Sequence, residues 1–147
     1  MGYGLLVVAI SGAIVAIFAT DMLLADRGAD RFFLWNGIGG ALGATWSTVL
    51  CLKWLGHEGR WGLLHLILGF LIISFLTSVA AGTLILPLYG TMFGPFGAIM
   101  TFFNTPQLAI VWCGAIVGAH LQAIKWRRER DSIFAVELPQ PDEPLRY

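Results

Sequence analysis

Residues 61–88 read WGLLHLILGFLIISFLTSVAAGTLILPL, a run of 28 positions without one Asp, Glu, Lys or Arg. About 20 such residues suffice for a helix to cross the hydrocarbon of a bilayer, and a soluble core helix has no use for apolar residues on every face. The stretch is therefore read as a membrane span from Trp61 to Leu88, long enough to tilt. Charge stays absent after it, as far as Ile124.

Working outward gives three more spans. Toward the N-terminus, residues 33–52 form one between the charged segments ADRGADR (25–31) and Lys53-Trp54, and residues 4–24 form another. Toward the C-terminus the fourth covers residues 97–124 and closes at Lys125-Trp126-Arg127-Arg128. Trp35, Trp54, Trp61, Tyr89 and Trp126 fall near the span ends, where amphipathic rings settle at the interface. The fold class expected is all-α, a polytopic four-helix transmembrane bundle in residues 1–126 followed by a flexible cytoplasmic tail, 127–147, rich in proline and acid. With 57% hydrophobic and 12% charged residues, the chain has too little polar surface for a soluble domain, and its net charge of zero leaves no basic face for nucleic acid.

Direction follows from the cations in short loops. Lys53, Arg60, Lys125, Arg127, Arg128 and Arg130 lie on one side and only Arg27 and Arg31 on the other. Positive charge stays in the cytoplasm, so both termini are expected there, N-in and C-in, in a bacterial inner membrane. Lys53, Arg60, Lys125, Arg127 and Arg128 form a collar suited to anionic lipid headgroups.

Small residues recur at helical spacing. Gly39, Gly43 and Ser47 form one ridge of the second span with Gly40 and Ala44 beside it, and Gly114 and Gly118 form another in the fourth. Lipid supplies little hydrophobic drive between helices, so such ridges hold spans together by close contact. With Gly12, Ala16 and Thr20 in the first span and Ser74, Ser78 and Gly82 in the third, four small ridges exceed what one four-helix bundle needs, which points to a non-catalytic membrane subunit or assembly factor packed against a larger transport or energy-converting complex, or against its own copies.

Two alternatives have residues to offer. TFFNTPQLAI, 101–110, places Asn104, Thr105, Pro106 and Gln107 inside the bilayer. Pro106 lacks an amide hydrogen, so a kink is expected there, and polar groups at such a break can line a transport path with Asn36, Ser74 and Thr77. Asp21, at the outer end of the first span, would stand at its mouth. The other alternative is a b-type haem between His65 and His120, which antiparallel spans bring to the same leaflet. Cys51 and Cys113 read as small apolar side chains, and no set of ligands has metal-binding spacing. No Ser-His-Asp set or phosphate loop is present, so no catalytic residue is expected.

GGALGA, 39–44, resembles the glycine-rich opening helix of small bacterial fluoride channels, and RWGLLHLILGF, 60–70, their second helix in outline. The resemblance implies an ion channel. It stops at Trp46 and Ser47, where such channels tend to place an arginine, and TFFNTP echoes their pore segment only loosely. Such channels insert in both directions, whereas the cation count here favours one, and no family is assigned.

Overall fold

The computed structural model describes residues 2–24, 33–57 and 59–135. These residues contain five α-helices and no strand: α1 (Gly2–Leu24), α2 (Phe33–Leu50), α3 (Gly62–Ile85), α4 (Gly90–Asn104) and α5 (Pro106–Ala135). Gly2–Met22, Gly62–Ile85 and Pro106–Ser132 are long and apolar enough to cross a membrane. The shorter α2 buries four glycines or alanines, Gly39, Gly40, Gly43 and Ala44, and lies between α1 and α3. Its 18 residues rise about 27 Å at ~1.5 Å each, close to the ~30 Å of a hydrocarbon core. The 25–31 loop with Arg27 and Arg31, the residue Glu58 and the segment 136–147 lie outside the described residues.

The chain returns α1 against α2, α2 against α3 and α3 against α4, and α5 closes the bundle on α1. Its core gathers Val8 from α1, Ala44 from α2, Leu55 from the turn after α2, Ile73 from α3 and Trp112 and Ile116 from α5. At the base, the amide of Gly4, one of the first-turn donors that no helical carbonyl can satisfy, donates to Gln122 Oε1 at 2.7 Å. Near the other end Trp35 Nε1 donates to the last-turn carbonyl of Leu84 at 3.1 Å. Both cysteines are free, Cys51 buried and Cys113 exposed.

α1, α2 and α3 match the first three expected stretches in extent to within a few residues, although of these only α1 and α3 are long and apolar enough to span; the fourth expected stretch does not match. A single kinked helix over 97–124 was expected; two helices stand there, and the first begins at Gly90. At Thr105 the backbone turns extended, φ −133° and ψ 75°, because proline Cδ drives the preceding residue out of the helical region. Pro106 then opens α5, where a missing amide hydrogen is harmless. The Gly- and Pro-punctuated segment 89–97, readable as an interfacial or inward-dipping loop, is mostly the start of α4, with Pro95 inside that helix. At the far end α5 continues to Ala135, taking in residues 127–135 that the sequence assigned to the tail; no Gly or Pro interrupts them.

The turn from α3 to α4 holds Leu88 at φ +73°, left-handed backbone that crowds a Cβ against the following carbonyl. Its side chain is 88% exposed and so has little packing to lose. Leu88→Gly is expected to stabilise the protein by about 1 kcal/mol, read as a higher unfolding midpoint in mild detergent. A lowered midpoint would mean that the side chain, and not the backbone, governs this turn.

Candidate docking face

The small residues divide by what lies opposite them. Where α1 crosses α2, a Cβ built on Gly12 would stand 2.7 Å from the carbonyl oxygen of Gly40, and one on Gly40 would fall against the Ala16 methyl and the Gly12 carbonyl. On the other side of α2, a Cβ on Gly43 would come 2.8 Å from the amide nitrogen of Ala81, and one on Gly39 3.1 Å from the Ile85 side chain. Ala44 and Ser47 are buried in the same faces. Gly39, Gly40, Gly43, Ala44 and Ser47 are therefore occupied by α1 and α3 of their own chain.

Gly114 and Gly118 differ. A Cβ on either meets nothing within 4 Å. They sit four apart on α5 with Ile110, Val117 and Leu121 around them, all exposed, and Cys113 at the edge. The opposite face of α5, with Trp112, Ala115, Ile116 and Ala119, is buried against the core. The result is a small-residue groove flanked by aliphatic ridges, the shape into which a second helix packs in lipid.

The polar residues of the expected path are dispersed. Asn104 and Gln107 flank the break at Thr105 and are exposed on the bundle's outside, where Asn104 Nδ2 donates to the carbonyl of Met100 in its own helix at 2.9 Å. Ser74 lies within the bundle and accepts from Trp112 Nε1 at 2.9 Å. Asn36 and Thr77 are buried, and Asn36 Oδ1, Thr77 Oγ1 and Ser47 Oγ have no hydrogen-bond partner among the described residues. Thr105 ends α4, and Asp21 is exposed near the end of α1.

All three histidines gather at the base of the bundle. His57 and His65 stack with centroids 4.4 Å apart, and Trp54 lies 6.1 Å from His65. His65 Nδ1 must donate to the Trp61 carbonyl, 2.9 Å away, since a carbonyl oxygen only accepts. His120 has the opposite tautomer: its Nδ1 accepts the amide hydrogen of Gly56 at 3.1 Å, which places the proton on Nε2. Held so, His120 has no lone pair left to offer an iron. The described residues contain no group of three or more His, Cys, Asp or Glu arranged to hold a metal ion.

Of the cationic collar, Lys53, Arg60, Lys125 and Arg128 are exposed. Arg127 is turned inward instead: its Nη2 reaches the carbonyls of Leu52 at 3.3 Å and Lys53 at 3.4 Å in the turn just past α2. Arg130 pairs with Asp131 at 3.2 Å and lies over the Trp126 ring. Sequence reasoning missed Gln122, Trp112 and the Gly90–Gly94 edge of α4; only the last carries a signal, its four-residue spacing. Compared with known protein families, with curated proteins and with solved structures, the chain matches none.

Proposed function

We propose that this protein is a non-catalytic integral subunit of the bacterial inner membrane that binds a larger membrane complex through the Gly114–Gly118 face of α5. It crosses the bilayer four times, with α1, α2, α3 and the α4–α5 pair, and keeps both ends in the cytoplasm, as the lopsided lysines and arginines favour. One observation carries the reading: of the chain's small-residue ridges, those on α2 are filled by its own helices and that on α5 is open. The exposed cations at the base, Lys53, Arg60, Lys125 and Arg128, face anionic headgroups in this arrangement.

The test follows from that contrast. Gly114→Leu with Gly118→Leu puts side chains into open space, so the fold is retained and the helix gains roughly 1 kcal/mol per replaced glycine in intrinsic propensity. A stoichiometric unlike subunit is expected with the wild-type chain in mild detergent and is expected to be lost from the double variant. Cross-linking through Cys113 should fall in parallel. Equal recovery of the partner by both proteins would overturn the reading, as would a wild-type preparation that contains no unlike subunit. Reporter fusions at the two ends test the direction.

The runner-up is a small oligomeric transporter. Its support is the set of buried, unpartnered oxygens on α2 and α3, at Asn36, Ser47 and Thr77. Homogeneous protein that conducts solute in liposomes, with flux reduced by Asn36→Leu, would favour it over the docking subunit.

A further inference from the structure

α1, α3 and α4 leave between them a cavity of about 390 Å³ with Trp112 of α5 on its wall, a size within the roughly 300–1,000 Å³ of small-molecule sites. Its α3 wall runs from Phe70 to Ile85, which at ~1.5 Å per residue is about 22 Å. Leu71, Phe75, Phe93 and Ile99, all exposed, form the rim.

Three occupants compete for such a space. Water needs two to four polar partners, and the largely apolar walls offer a few hydroxyls, each holding one hydrogen bond within the protein or covered by it. Thr20 Oγ1 donates to the Ala16 carbonyl and Ser78 Oγ to the Phe75 carbonyl, each at 2.8 Å. Ser74 Oγ accepts from Trp112, and the unpartnered Thr77 oxygen is itself covered by protein. A vacuum would forfeit the dispersion contacts of every wall residue. Hydrocarbon is left, and because α1 and α3 are both long and apolar enough to span, the medium at the rim is hydrocarbon too.

We propose that the slot between α1, α3 and α4 holds a hydrocarbon chain of a membrane lipid. Its length exceeds the ~15 Å half-thickness of a bilayer core, so the chain enters extended from one leaflet and passes the midplane. A straight acyl chain and a polyisoprenyl chain share this chemistry. The site stands apart from the α5 docking face and does not depend on it.

Trp112 reports on it. With the other five tryptophans replaced by Phe, the full chain is placed in vesicles of phosphatidylcholine brominated at mid-chain or left unbrominated. An occupied slot brings bromine to within contact of the ring, roughly 4 Å, and an about two-fold drop in Trp112 emission is expected. Ala98→Phe from α4 and Ala19→Leu from α1 fill the slot and should restore most of that emission. Should the multiple replacement fail to fold, intact-mass measurement of the wild-type protein after gentle solubilisation is expected to find about one lipid retained per chain, and none on Ala98→Phe. Added polyisoprenol relieves the quenching if the slot prefers isoprenyl chains and leaves it if it holds acyl chains; both results keep the proposal. Equal emission in the two lipids, or the same drop in the filled variants, overturns it.

Discussion

Gly40→Val is expected to destabilise the folded bundle severely. The position sits where α1 and α2 approach most closely, and even the first added carbon falls against the Gly12 carbonyl group, whose carbon lies 3.0 Å from the ideal Cβ, and against the Ala16 methyl. Neither obstacle is the end of a flexible side chain; one is backbone and the other is fixed to it. Valine adds two branches that its stiff χ1 cannot swing aside. The helices must then part along the whole seam, which opens the reciprocal contact of Gly12 with Ala44 as well. Overpacking on this scale costs about 3 kcal/mol or more, against roughly 5–15 kcal/mol of total stability. The few tenths of a kcal/mol that valine gains over glycine in helix propensity do not change the sign. In detergent the variant should elute as aggregate or melt far below wild type, while Gly114→Val, on a helix face with nothing opposite, should behave as wild type. Equal melting of Gly40→Val and wild type would mean that α1 and α2 are not in this contact.

How much of this was legible depends on which physical force shaped each element. The extents of α1, α2 and α3 follow from apolar length bounded by charge, which one sequence displays directly. The fourth expected span went wrong where local chemistry and tertiary packing diverge. GTMFGPFG reads as loop by propensity, yet Gly90 and Gly94 are helical because their missing side chains let α4 lie on the backbone of Gly82 and Ser78. Pro106 marks an interruption in the sequence itself, but whether a proline kinks a helix or divides it depends on the residue before it having somewhere to turn. The docking face shows the same limit more sharply. Gly39 and Gly43 have the same spacing as Gly114 and Gly118, and only the three-dimensional neighbours make the first pair a filled seam and the second an open groove. Arg127 reads as one more cation among several until the carbonyls of Leu52 and Lys53 appear beside it. His65 and His120 were placed at the same end by span direction alone, whereas the amide of Gly56, which fixes the His120 tautomer, could not be.

The second large effect concerns α4. Gly82→Val is expected to detach this helix and leave the rest of the bundle folded. A Cβ on Gly82 runs into the carbonyl of Gly90 and comes 3.0 Å from the Cα of Gly94, so α3 and α4 touch here backbone to backbone. α4 is bounded by breaks at both ends, the turn at residues 86–89 and Thr105, and can move away as a unit without unwinding α5. Thr83 and Thr91 offer a probe, because their hydroxyl oxygens lie 3.0 Å apart across the same contact. With Cys51 and Cys113 replaced by serine, Thr83→Cys with Thr91→Cys should close a disulfide, since side chains whose γ atoms meet bring the two sulfur atoms within reach of each other. Adding Gly82→Val should slow closure by roughly ten-fold or more, as overpacking of 1–3 kcal/mol is set against 1.4 kcal/mol per factor of ten. Gly82→Ala should fall between. Helical content should change little throughout, which separates undocking from unfolding. An unchanged closure rate in Gly82→Val would show that side chains along α4, and not the approach of its glycines to Gly82, hold it to α3. The lipid slot would then keep its wall in that variant, and the Trp112 emission drop would persist with it.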